Sequence, residues 1–81
     1  MAEAHNPRLK ALILEVVDNQ LSDNDPPATR ITLERLMSYG YSRKRAKEMI
    51  GSVVAEFIYY SMHDGKKFDV AKYTESLEKL S

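Results

Sequence analysis

The chain has 81 residues, 43% hydrophobic and 30% charged, with 12 basic and 12 acidic side chains and no cysteine. That is enough for one modest core and too little for a self-contained enzyme with a deep cleft, and the apolar content argues against disorder. Lack of cysteine excludes a disulfide framework, thiolate zinc sites and cysteine nucleophiles, and zero formal charge leaves affinity for nucleic acid to a local patch.

No segment offers the roughly 18 apolar residues of a membrane span. The opening MAEAHNPRLKALILEVVDNQ carries too many charges within its apolar part for a secretory signal, so the expected location is the cytoplasm. Residues 1–5 read as a flexible leader and residues 6–81 as a single helical domain.

Four helices follow in chain order. In the first, Asn6 is an N-cap and Pro7 occupies the first helical position, where its missing N–H costs nothing. Leu9, Leu12, Ile13, Val16 and Val17 recur at helical spacing and define its apolar face. Gln20 falls on that face near the end, where its amide can reach the terminal carbonyls. The stretch SDNDPP is a turn, because Asp and Asn bond their own backbone and Pro26 and Pro27 fix φ. A second helix starts at Asp25 or Pro26, draws its apolar residues from Ile31, Leu33, Leu36 and Met37, and ends at Gly40 in the left-handed C′ position.

Ser42 caps the third helix, and Ala46, Met49, Ile50, Val53, Val54, Phe57 and Ile58 follow as an i, i+3, i+4, i+7 series running to about Met62. HDGKK ends it at Gly65. Asp69 caps the fourth helix, with Phe68 placed to staple onto Tyr73 and a stripe of Val70, Tyr73, Leu77 and Leu80. Short connections turn neighbouring helices back on one another, which predicts an all-α, compact four-helix bundle with a long central third helix.

The third helix has a second face. At 100° per residue, Gly51, Ala55, Tyr59 and Met62 lie roughly opposite Val53 and Phe57, and a helix apolar on two sides is normally buried on two sides. Either the fourth helix covers this face, or it meets a second copy or another protein. Tyr59 is the aromatic that departs from the core spacing, and exposed aromatics anchor interfaces.

Arg43, Lys44, Arg45 and Lys47 are the one charge concentration, at a helix N-terminus where the macrodipole disfavours cations. They offer a contact for an acidic protein or for nucleic acid, although Leu36 stands where a helix-turn-helix crossing requires a small residue, and Glu48 partly neutralises Lys44 and Arg45. His5 and His63 have no ligands at metal spacing, Ser42 serves as a cap, and SDNDPP lacks the glycine and distal glutamate of a calcium loop. No catalytic residue, cofactor or metal is expected.

Two resemblances add to this reading. The Gly-aromatic turn Tyr39-Gly40-Tyr41 resembles that joining the first two helices of the ubiquitin-associated domain, which implies a peptide-binding module, but KEMIGSVVAEF runs on where that domain breaks its second helix. Across residues 6–80, NPRL, DNQLSDNDPP, TLERLMSYGYSRKRAKEMIGSVVAE and FDVAKYTESLEKL resemble a family of small bacterial all-helical proteins of unknown function. That family's pattern has a histidine after NPxL and His-Glu-x-x-His opening the long helix, an arrangement able to hold zinc. This chain has Lys10, Lys44, Arg45 and Glu48 there, and protonated ammonium and guanidinium groups do not ligate cations. The resemblance therefore implies the fold alone, through Asn6, Pro7, Pro26, Pro27, Gly40, Tyr41, Gly51 and Asp69 as turn, cap and close-packing positions. The expected function is a non-enzymatic protein-interaction or self-association module using Gly51, Ala55, Tyr59 and Met62. The alternatives are nucleic-acid binding through Arg43, Lys44, Arg45 and Lys47, or a ubiquitin-associated-like peptide binder.

Overall fold

The computed structural model describes residues 7–65 and 67–81, with Asp64 described by its backbone alone. The leader, His5 and the Asn6 cap lie outside the described residues. Within them the chain forms four α-helices and no strand: α1 (Pro7–Asp23), α2 (Pro27–Ser38), α3 (Arg43–Asp64) and α4 (Val70–Glu78). They make a four-helix bundle measuring 34 × 28 × 22 Å. The long dimension is set by α3, whose 22 residues at 1.5 Å rise span about 33 Å.

The helix ends follow from local chemistry. Asn24 takes a left-handed φ of 50°, while the Asn24 N–H bonds the Leu21 carbonyl at 3.3 Å and the Asp25 N–H bonds the Gln20 carbonyl at 3.0 Å. This is a Schellman ending, with asparagine in the usual glycine role. It carries α1 to Asp23, a turn beyond the expected end, and buries Leu21. Gly40, at φ 104°, ends α2 in the same way, through bonds from the Gly40 N–H to Met37 and from the Tyr41 N–H to Leu36. Ser42 Oγ accepts from the Arg45 N–H and Asp69 Oδ1 from the Lys72 N–H. Of the three expected side-chain caps, the two that fall on described residues are present. The aromatic rings of Phe68 and Tyr73 meet at 5.0 Å, completing the staple at the start of α4.

The core consists of Val17, Leu21, Leu33, Leu36, Ala46, Ile50, Val54, Tyr73 and Leu77, with Met49, Val53, Phe57 and Ile58 packed around it. Several expected faces are rotated. Leu9 and Leu12 on α1 are 45% and 59% exposed, because α1 turns Val17 and Leu21 inward instead. On α2 the buried line is Thr29, Thr32, Leu33 and Leu36, leaving Ile31 and Met37 at the surface. Val70 also faces outward. Tyr73 and Leu77 alone fix the buried side of the nine-residue α4.

The central position is shared. Helix α3 packs extensively on all three others, but so does α2, while α1 and α4 meet only marginally. What joins those outer helices is a polar knot. Thr29 Oγ1 donates to Gln20 Oε1 at 2.7 Å, the Tyr73 hydroxyl donates to the same oxygen at 2.9 Å, and the two hydroxyls lie 3.2 Å apart. Gln20 ties α1 to α2 and α4.

Candidate interaction surfaces

The outward side of α3 is divided by α1. A Cβ on Gly51 would lie 3.2 Å from Ile13 Cγ2 and 3.7 Å from Leu14 Cδ2, so hydrogen at this position lets α1 cross closely. Gly51 is buried and belongs to the interior. The helix over this part of the back face is α1, in place of the fourth helix expected there. Beyond the crossing the face opens: Ala55 is half-buried, Tyr59 is 57% exposed and Met62 is 79% exposed. Tyr59 stacks on His63 with centroids 4.1 Å apart and meets Tyr60 edge-on at 5.8 Å. Tyr60 is exposed too, so the surface aromatics on α3 number two among the described residues, where sequence spacing singled out one.

The basic start of α3 is partly neutralised by Asp18 of α1 and by its own Glu48. Lys47 pairs with Asp18, Lys10 Nζ lies 2.9 Å from Glu48 Oε2, and Arg45 lies 3.7 Å from Glu48 Oε1. The hydrogen bond from Lys10 holds the Glu48 carboxyl below its ordinary range, helped by the charges of Lys10, Lys44 and Arg45 and opposed by partial burial. Arg43 and Lys44 form no ion pair among the described residues and stand exposed. Lys10, Lys44 and Arg45 thus gather around the Glu48 carboxylate. Lys10 was not recognisable as a member of this patch, because 38 positions separate it from Glu48 in the chain.

One surface was missed from the sequence. An open groove of about 680 Å³ runs between the second half of α3 and α4, lined by Glu56, Phe57, Tyr60 and Ser61 on one side and by Lys67, Asp69, Lys72, Glu75 and Ser76 on the other. Of its lining residues Phe57 also packs inward on Phe68 and Tyr73, with centroids 5.7 and 5.8 Å away. Individually these polar residues read as solvated helix faces. Only the packing of α4 on α3 makes them opposite walls.

Among the described residues, no group of three or more His, Asp or Glu side chains is placed to hold a metal ion, and no helix is long and apolar enough to cross a membrane. No protein-family model matches the chain, and no curated protein or solved structure matches it either.

Proposed function

We propose that the protein is a non-enzymatic protein-interaction module that presents the outer half of α3. The observation that carries this reading is the exposure of Tyr59, Tyr60 and Met62, each more than half accessible, within four residues of the longest helix. Large aromatic and thioether side chains are the residues whose burial dominates association energies, and clustering them at a surface is costly unless they are covered in use. Ala55 continues the patch toward the α1 crossing, and Gly51 supports it from inside by bringing α1 close.

The test is site-specific photo-crosslinking in the cells that express the protein. With Tyr59→p-benzoylphenylalanine, a discrete adduct is expected, whereas the same probe at the exposed position Glu34 on α2 gives none. Equal or absent adducts at the two positions would sink the interaction reading.

A second reading is nucleic-acid binding, favoured by the exposed Arg43 and Lys44 and by the arrival of Lys10 on the same surface. Against it, Lys47 and Arg45 already face carboxylates. This reading predicts affinity that falls steeply with salt as phosphate counterions are released. Fluorescence anisotropy with labelled DNA and RNA at low salt decides it, since no binding there ends the idea. Peptide binding of the ubiquitin-associated kind has less support, because α3 continues unbroken for 22 residues where that domain has a short helix and a break.

A further inference from the structure

We draw no further inference here: the strongest candidate, the open groove between the second half of α3 and α4, carries nothing, because its walls mix Glu56 and Glu75 with Lys67 and Lys72 and nothing in the structure shows what covers it.

Discussion

Gln20 is the residue on which three helices converge. Its Oε1 accepts from both Thr29 and Tyr73, so losing either hydroxyl leaves the oxygen satisfied by the other. Thr29→Val and Tyr73→Phe should each cost about 1 kcal/mol. The double variant strands a half-buried carbonyl oxygen and should cost more than the sum, by about 1 kcal/mol or more. Urea denaturation of the four proteins measures this coupling, and strict additivity would show that the knot does not act as a unit. Burial pushes the Tyr73 hydroxyl above its ordinary pKa of 10.0, against a smaller opposing effect of the Thr29 hydrogen bond. A raised folded-state pKa means that the unfolded chain loses this proton first. The stability contributed by neutral Tyr73 is therefore complete below pH 10 and is lost as pH rises through the higher folded value. Tyr73→Phe should flatten that alkaline loss of stability in pH titrations of thermal unfolding, and an unchanged alkaline slope would contradict the assignment.

At the scale of elements, existence and ends were legible and faces were less so. Ser42, Gly40, Gly65 and Asp69 mark helix ends because caps and left-handed turns act within four or five residues of chain. The α2 face was misread because two of its four buried positions are Thr29 and Thr32. Admitting threonine to the apolar set yields 29, 32, 33 and 36 at i, i+3, i+4 and i+7. Exposed Ile31 and Met37 competed with that pattern, and hydrophobicity alone chose them. The α1–α3 crossing at Gly51 supplies its own test. In Gly51→Ala, the helix-propensity gain of about 1 kcal/mol opposes the displacement of the Ile13 methyl, so stability should change by less than about 1 kcal/mol. Gly51→Leu has no room and should lose about 1–3 kcal/mol. Thermal melts of both variants check this, and a tolerated leucine would mean that α1 does not sit where the structure places it.

For the whole molecule, the arginines of α2 bind carbonyls at the C-terminal ends of its neighbours. Arg30 donates to the Leu21 carbonyl at 2.7 Å, and Arg35 donates to the Leu77 and Leu80 carbonyls at 2.8 and 2.7 Å while its guanidinium lies over the Tyr39 ring. The Tyr41 hydroxyl adds a bond to the Ser81 carbonyl at 3.0 Å. At nine residues, α4 is too short to persist alone and depends on these ties as well as on Tyr73 and Leu77. Arg35→Met should destabilise the fold by about 1.5–3 kcal/mol, with amide hydrogen exchange accelerated in α4 ahead of α3. Uniform acceleration across all helices would refute a local role for Arg35.

The sequence by itself determined four helices, most of their ends and the bundle class, because caps, turns and helical periodicity act between residues a few positions apart. It also located the basic start of α3 and set Tyr59 apart from the core spacing, while its exposure came from the tertiary structure. Only the tertiary structure decided that α1 lies over Gly51, that Lys10 joins Glu48, that Gln20 holds Thr29 and Tyr73, and that α3 and α4 enclose a groove. Each of these depends on the crossing of helices distant in the chain. Crossings are set by the summed shape and burial of whole faces, a quantity that no single stretch of residues carries.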